Sequence, residues 1–273
     1  MSVTKNITDT NALVYKRARF DPLKGRFLHD LAIAELRDRL SIVRKDFKKI
    51  SIVTGFPDIW SKEFPPAKIF PDTEFIDFQE DSFDLVVHAM ALHWSNDPLG
   101  QMIQCFKVLK PDGLFLCVCP GGNTLRELRL AFFEAETKTS SGVSPRVLPM
   151  ADIRDLGHLL QRVGFSMPVV DSIIIPATYE TPLHLMRDLR SMGEGNAQIG
   201  RAKRFTPKKI IFETCEYYEQ NYKKKCGRVS ASFELLCLAG WKPAKNQPKP
   251  LRRGSATMSL AAVLENKETK QDD

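Results

Sequence analysis

The sequence predicts an α/β fold, a doubly wound and mostly parallel sheet with helices on both faces. Two observations lead to this prediction. Short apolar runs alternate with segments of helical periodicity along the 273 residues, which is the pattern of α/β sheets. The run at residues 83–90 is largely apolar, as expected for a parallel strand that is covered on both sides. We expect one or two antiparallel strands at the end of the chain.

The first third of the chain predicts an arm, a long helix and a short strand. Residues 1–19 are typical of a loose arm. Apolar residues at spacings of three and four then predict a helix from about Pro22 to Arg44. The β-branched run at residues 50–53 predicts a buried strand. Four prolines between residues 55 and 72 exclude one long helix there, because proline lacks an amide donor and clashes with the preceding turn.

A strand–helix–strand unit at residues 83–119 is the best-defined part of the sequence. Asp97 followed by Pro98 predicts the start of its helix. Residues 110–113 predict a tight turn, and residues 114–119 predict the second strand.

The alternation continues through the second half of the chain. Thr124 and Glu127 predict a capping box that opens a helix through about Glu136. Gly164 predicts the end of a helix over residues 151–163. Further helices are expected at residues 182–192 and from residue 206, and strands at residues 168–179 and 229–241.

Composition narrows the class of protein. The chain is 43% hydrophobic and 27% charged, which is typical of a soluble globular protein. Its longest apolar stretches are too short for a transmembrane segment, and the N-terminal segment has no apolar run like a secretory leader, so a cytoplasmic location is expected. The net charge of +7 favours acidic partners or a positively biased solvated surface. No nucleic-acid-binding motif is found.

The cysteines and histidines do not predict a metal site. The six cysteines are scattered, none forms a CxxC pair, and no histidine lies at metal-ligand spacing. We therefore expect no bound metal, and we expect small buried thiols in a reducing compartment.

Two segments carry a family resemblance. DSFDLVVHAMALHW (81–94) resembles the fourth strand of class I S-adenosylmethionine (SAM) methyltransferases, and LKPDGLFLCVC (109–119) resembles the turn and fifth strand that follow. Further segments are similar to the bacterial and mitochondrial branch that contains the respiratory complex I assembly factor, a protein-arginine hydroxylase on a methyltransferase fold. These segments are residues 121–129, 144–149, 155–165, 187–197 and 240–256.

The resemblance covers about residues 15–256, and a malonyl-carrier-protein methyltransferase is a more distant relative. On this resemblance the chain divides into three parts. Residues 1–48 form an N-terminal arm and helix, residues 49–256 form a methyltransferase-like domain with a C-terminal extension, and residues 257–273 form a tail.

The resemblance implies SAM as cofactor and assigns residues to it. The family uses a glycine-rich turn after its first strand, where the absence of a Cβ lets the backbone approach the ligand. Gly55 takes that position. Asp72 would face the adenine amine with Thr73 beside it, and Ala89 and Met90 would line the methionine arm.

The sequence departs from the family pattern in the same region. Phe56 and Pro57 stand where the family has small residues. The interval from Ile50 to Asp84 is short, so we expect a fold that is truncated near strands one and two and lacks the acidic residue for the ribose. Losing a hydrogen-bond partner for a ligand hydroxyl costs about 1–3 kcal/mol, which predicts weakened SAM binding.

Strand ends also indicate an acceptor site, since this fold binds ligands beyond the carboxyl ends of its strands. His93 is the candidate catalytic residue. Trp94, Gly121 and Gly122 are candidates for the substrate mouth. The alternatives are a buried aromatic pair that closes the strand at His93 and Trp94, and a simple bend at the two glycines.

Three hypotheses for function remain open. The first is a SAM-dependent methyltransferase that acts on a protein or small acceptor in respiratory complex I assembly. The second is a non-methylating protein-arginine hydroxylase of the same branch, and the third is a catalytically inactive binding scaffold. Each leaves a protein substrate or a complex I subunit as partner, and a location peripheral to the inner membrane through that partner. The oligomeric state is left open.

Overall fold

A computed structural model describes residues 6–77, 79–140, 142–245 and 247. The described residues up to Pro243 belong to one compact unit, and a second unit begins at Ala244. The strands are β1 (Ile50–Thr54), β2 (Lys68–Phe70), β3 (Phe83–Ala89), β4 (Leu109–Pro120), β5 (Ser166–Tyr179) and β6 (Val229–Trp241). The helices are α1 (Thr10–Arg17), α2 (Phe27–Ile42), α3 (Pro57–Glu63), α4 (Pro98–Val108), α5 (Arg126–Thr139), α6 (Ile153–Val163), α7 (Pro182–Ser191) and α8 (Lys208–Tyr222), with a 3-10 turn at Leu92–Trp94.

The six strands form one sheet in the order β2-β1-β3-β4-β6-β5. The first four strands in this order are parallel to one another. Strand β6 is antiparallel to β4, and β5 is antiparallel to β6, so β5 runs in the direction of the first four strands. This confirms the mostly parallel sheet, with one reversed strand, β6, from the end of the chain. The carboxyl ends of β2, β1, β3 and β4 meet at one edge of the sheet.

Helices cover both faces of the sheet, as the sequence predicted. On one face, Ile52 and Leu116 pack with Leu36 of α2 and Leu128 of α5. On the other face, Val53, Val86 and Phe115 pack with Met102 of α4 and Leu160 of α6. Successive residues of β1 and β3 point to opposite faces of the sheet, and both faces are covered by helices. This explains why these strands are apolar along most of their length.

The segment between β1 and β3 is short, in agreement with the predicted truncation. Its described residues form the seven-residue α3, which starts at Pro57, and the three-residue β2. Strand β2 pairs directly with β1, from Ser51–Lys68 to Val53–Phe70. Sequence patterns missed β2 because a Lys-Ile-Phe run between prolines is too short to show a period.

The N-terminal arm is more ordered than predicted. Thr10–Arg17 forms α1, whose N-terminus is capped by the Asp9 carboxylate accepting from the Ala12 amide. The Asp9 amide donates to the Ala197 carbonyl at 2.8 Å. Helix α2 starts at Phe27, later than the expected Pro22. For residues 6–19 the prediction of a loose arm was wrong, because these stabilising contacts come from distant parts of the chain; residues 1–5 of the predicted arm lie outside the described residues.

The capping box expected at Thr124 and Glu127 was also wrong. Helix α5 starts at Arg126, and the two side chains bond β6 instead. The Thr124 hydroxyl accepts from the Glu234 amide at 3.0 Å. The Glu127 carboxylate accepts from the Ser232 hydroxyl at 2.6 Å and from its amide at 3.2 Å. Thr124 and Glu127 have the spacing of a capping box, but their side chains hydrogen-bond to β6 instead of to the start of α5.

Two further observations concern the ends and the surroundings of the fold. Within the described part of the chain, no helix combines the length and apolar character that a membrane crossing requires. The domain boundary at residue 48 stays a prediction, and the expected tail at 257–273 lies outside the described residues.

Candidate functional site

The predicted cofactor residues converge at the carboxyl edge of the sheet. Gly55 follows β1, and Asp72 and Thr73 come shortly after β2. Ala89 is the last residue of β3, and Met90 follows it. Thr54 is paired with Ala89 across the sheet, and Ala89 and Met90 are both buried. We call the space beside Gly55, Asp72 and Ala89 the candidate cofactor pocket.

Arg17, the last residue of α1, occupies this pocket with its side chain. Its Nη1 donates to Asp72 Oδ1 at 2.9 Å and its Nη2 to Asp72 Oδ2 at 2.8 Å. The two side chains are only 11% and 13% exposed. The guanidinium lies 5.4 Å from the centre of the Phe56 ring, and a methyl group added at Gly55 would overlap it. The sequence did not reveal Arg17, because it lies 55 residues before Asp72.

The candidate cofactor pocket contains groups that suit SAM, but in this structure those groups contact the Arg17 side chain. A carboxylate at Asp72 can accept from an adenine amine, and glycine at position 55 allows close approach of the backbone. Both groups face the Arg17 guanidinium in this structure. The residues therefore fit the cofactor only after the Arg17 side chain moves.

Gln101 of α4 holds the backbone that carries Asp72 and Thr73. Its Nε2 donates to the Thr73 carbonyl at 3.0 Å and to the Asp72 carbonyl at 3.3 Å. Its Oε1 lies 3.0 Å from His88 Nε2. Burial lowers the pKa of His88 to about 4, so this histidine is neutral and can donate to Gln101. The Thr73 hydroxyl donates to the Phe75 carbonyl at 2.8 Å.

The 3-10 turn after β3 brings His93 and Trp94 to Glu194. Trp94 Nε1 donates to Glu194 Oε2 at 2.8 Å, and His93 Nε2 lies 3.2 Å from the same oxygen. Burial of Glu194 favours its neutral form. His93 and Arg17 more than offset this effect and hold the pKa of the carboxyl below its ordinary value. Glu194 is therefore an ionised carboxylate in a largely buried position.

Residue-type patterns missed Glu194, which lies 100 residues after Trp94. A signal was nevertheless present, because Glu194 belongs to RDLRSMGEGNA, one of the segments that carry the family resemblance. The backbone there is unusual: Gly193 has φ +73°, and a Cβ at this position would lie 3.2 Å from the Cα of Arg17. Glycine thus permits the close approach of α1 to this loop.

A cavity of about 250 Å³ opens beside Trp94 and Glu194. We call it the acceptor cavity. Its apolar wall consists of Leu28, Leu125, Leu128, Val147, Leu148, Met150, Met186, Leu189 and Phe233. Four basic residues also line it: Lys16, Arg19, Arg146 and Arg190.

The predicted substrate-mouth residues lie in and next to this cavity. Trp94 lines it, as do Pro120 and Thr124 on either side of the two glycines. Gly121 and Gly122 themselves are not among the lining residues. The Gly121 amide donates to the Glu234 carbonyl, and the Gly122 amide donates to the Ala151 carbonyl. The glycines therefore shape the bend at the end of β4 that leads to the cavity.

The described residues contain no group of three His, Cys, Asp or Glu side chains that could hold a metal ion. Cys105, Cys117, Cys119 and Cys237 are buried thiols. Burial raises the pKa of the Cys105 thiol to about 12. Such a thiol is protonated and packs as a small apolar residue.

The sheet order, the helices on both faces and the residues at the carboxyl edge define a protein with the class I methyltransferase fold. A family model described as "Methyltransferase domain" matches residues 45–117. A malonyl-[acyl-carrier protein] O-methyltransferase of Gallionella capsiferriformans is 31% identical over 207 residues, which cover 74% of this chain and 67% of that protein. The chain therefore belongs to the methyltransferase-domain family, which confirms the resemblance.

Other relatives are more similar in sequence. The zebrafish protein "Arginine-hydroxylase NDUFAF5, mitochondrial" is 38% identical over 201 residues, or 74% of this chain and 62% of that protein. The human protein of the same name is 39% identical over 201 residues, or 74% of this chain and 58% of that protein. The chain thus spans about three fifths of the length of these relatives.

Proposed function

We propose that the protein is a SAM-dependent enzyme of the methyltransferase type that acts on a protein or small acceptor. The cofactor would bind in the candidate cofactor pocket and the acceptor in the acceptor cavity. One observation carries the proposal. Gly55, Asp72 and Ala89, all within the family-matched segment, converge at the sheet edge, while Trp94, a few residues beyond Ala89, lines the acceptor cavity.

The chain's own residues would bind and orient the two ligands. Asp72 would accept from the adenine amine, Gly55 would let the backbone approach the nucleoside, and Ala89 and Met90 would line the methionine arm. SAM supplies an activated methyl group on a sulfonium. Positioning of the acceptor then accounts for much of the rate in such a transfer, so shape and charge in the acceptor cavity matter most.

His93 remains the candidate catalytic residue, and Glu194 supports this role. In the neutral form of His93 that a general base needs, a proton on Nε2 is donated to Glu194 and Nδ1 is left with a lone pair. Nδ1 has no hydrogen-bond partner among the described residues, but it is buried. The His93 side chain is only 1% exposed and is not among the residues that line the acceptor cavity, so this role requires a movement that brings the acceptor to Nδ1. A carboxylate that orients a histidine in this way is a common arrangement for a general base.

The basic residues that line the acceptor cavity favour a partner that carries acidic groups. Arg146 is paired with Glu136, whereas burial and the positive charges of Arg19, Arg201 and Arg190 lower the pKa of Lys16. Uncompensated positive charge attracts acidic groups. A protein substrate such as a respiratory complex I subunit fits this proposal, with the enzyme peripheral to the inner membrane through that partner.

Protein-arginine hydroxylation is the second candidate, because relatives at 38–39% identity carry the name arginine-hydroxylase. The ionised carboxylate of Glu194 would suit a guanidinium entering the acceptor cavity. The third candidate, an inactive scaffold, is favoured by the Arg17 side chain in the candidate cofactor pocket.

A combined binding and product experiment separates these functions. SAM at 100 times its dissociation constant should stabilise the protein by about 2.7 kcal/mol, measured as a rise in melting temperature. Incubation with SAM and a complex I subunit should add a methyl group to the subunit, detected by mass spectrometry. In a parallel incubation supplied with molecular oxygen and an electron donor, a mass corresponding to one oxygen would instead favour the hydroxylase. Co-purification of the subunit with neither product nor SAM binding would favour the scaffold.

A further inference from the structure

We propose that Arg17 closes the candidate cofactor pocket in the ligand-free protein, and that its side chain must leave Asp72 before SAM can bind. This inference rests on the proposed function, since SAM is the ligand it considers. It adds a residue of α1 that controls access to the pocket.

The first argument is competition for the same oxygen atoms. Both oxygens of Asp72 accept from Arg17, at 2.9 and 2.8 Å. An adenine amine would need one of these oxygens and would have to approach within hydrogen-bond distance. A bidentate arginine–carboxylate pair leaves neither oxygen without a charged donor. Each carboxylate oxygen can still accept a second hydrogen bond, so the Arg17–Asp72 ion pair competes with an adenine amine for Asp72, and exclusion of the adenine depends on the space that the guanidinium fills.

The second argument is competition for space. The guanidinium lies where a side chain at Gly55 would begin, and it lies 5.4 Å from the centre of the Phe56 ring. With the Arg17 side chain only 11% exposed, the pocket is filled. A glycine whose open side is occupied by a neighbouring side chain cannot offer its backbone to a ligand at the same time.

The third argument is that the side chain can leave without unfolding α1. The backbone near α1 is anchored elsewhere: Arg201 pairs with Asp9 at 2.9 Å, and the Thr8 amide donates to Asn96 Oδ1 at 2.8 Å. Arg17 Nε has no hydrogen-bond partner among the described residues. Asp72 is thus the main polar attachment of the guanidinium, and a rotation of one long side chain opens the pocket.

A second negative charge, Glu194, interacts with Arg17 in the closed state. The ionised Glu194 is electrostatically coupled to Arg17, whose positive charge contributes to the lowered pKa of this carboxyl. A released guanidinium therefore keeps a counter-charge in Glu194. The displacement of Arg17 costs less than it would beside an apolar wall, because a buried charge without a partner is expensive.

The closed state should reduce the apparent affinity for SAM. When only a fraction of the molecules is open, the apparent dissociation constant is the intrinsic value divided by that fraction. The substitution Arg17→Gln removes the charge and the bidentate geometry. We expect it to lower the dissociation constant for SAM by about tenfold or more, as for a pocket open in at most a tenth of wild-type molecules.

The experiment measures SAM binding by isothermal titration calorimetry for the wild type, Arg17→Gln and a matched control, Arg37→Gln. Arg37 also pairs with a carboxylate, Glu63, at 2.9 Å. It also lies 5.8 Å from a phenylalanine ring, Phe64, but it is outside the pocket. Arg37→Gln should bind SAM like the wild type. Circular dichroism and melting temperature verify that each variant is folded, and Arg17→Met, which keeps an apolar stem against Phe56, replaces Arg17→Gln if the latter is unfolded.

Each remaining outcome has one interpretation. Equal dissociation constants for the wild type and Arg17→Gln would overturn the role of Arg17 and leave the proposed cofactor intact. Weaker binding by Arg17→Gln would overturn it as well, because Arg17 would then be part of the SAM site. No binding by any folded variant would contradict both this inference and the proposed cofactor.

Discussion

At the scale of single residues, Asp72 has the chemistry of a ligand-binding group, but in this structure it binds an arginine of its own chain. A largely buried ion pair resists the removal of either partner, since the other charge is left without compensation. Asp72 is therefore important for stability as well as for the proposed site. Any variant at this position must be examined for both effects.

We predict that Asp72→Ala abolishes the SAM-induced rise in melting temperature, because the acceptor for the adenine amine is lost. The ligand-free variant should also melt at a lower temperature than the wild type, since Arg17 loses its counter-charge. Thermal unfolding with and without SAM measures both effects. Asp77→Ala, an exposed carboxylate in the same segment, is the control and should keep the SAM shift. An undiminished shift in Asp72→Ala would remove Asp72 from the site.

At the scale of secondary-structure elements, the two ends of α6 show how local sequence specifies structure. Asp152 caps its N-terminus by accepting from the Arg154 amide, and Gly164 ends it in the left-handed region with φ +100°. Gly164 was expected from the sequence to end this helix, and the structure confirms it. Glycine is favoured in that conformation because other residues are strained by their Cβ.

We predict opposite effects for one substitution at two positions of this element. Gly164→Ala should destabilise the protein by about 1 kcal/mol, because alanine is strained at positive φ. Gly157→Ala in the middle of α6 should stabilise it by up to about 1 kcal/mol. A Cβ at Gly157 would make an ordinary contact with Val170 at 3.6 Å. Urea unfolding curves measure both free energies, and a change of the same sign at both positions would contradict the argument.

At the scale of the whole molecule, burial of two histidines couples folding to pH. His29 lies within an aromatic cluster, with its ring centre 4.5 Å from that of Phe56. Burial lowers the pKa of His29 to about 4 and that of His88 to about 4. In the unfolded chain a histidine has a pKa near 6.5. The unfolded state therefore binds more protons than the folded state between pH 6.5 and 4.

We predict that the free energy of unfolding is highest above pH 6.5 and falls as the pH is lowered towards 4. Each histidine contributes on the order of 3 kcal/mol to this loss. Denaturant unfolding at a series of pH values measures it. His29→Phe, which keeps an aromatic ring, should reduce the slope in this window, whereas a substitution of the exposed His158 serves as control. A slope that His29→Phe leaves unchanged would show that His29 does not carry this coupling.

The sequence by itself determined the features that depend on near neighbours along the chain. Apolar runs predicted β1, β3 and β4, because strands of a parallel sheet are buried on both faces. Asp97 and Gly164 marked helix ends, because caps act within one turn. The residues expected at the cofactor were recognised from the same local segments, which end at one edge of the sheet.

Only the tertiary structure decided which charged and polar groups pair. Arg17 and Asp72 are 55 residues apart, Trp94 and Glu194 are 100 apart, and Glu127 and Ser232 are 105 apart. With 40 basic and 33 acidic residues in the chain, each charge has many possible partners in the sequence. The choice among them follows from distance in the folded state, because electrostatic interactions depend on separation in space and on burial. The same reason explains why α1 and the Arg17 side chain in the candidate cofactor pocket were not predicted.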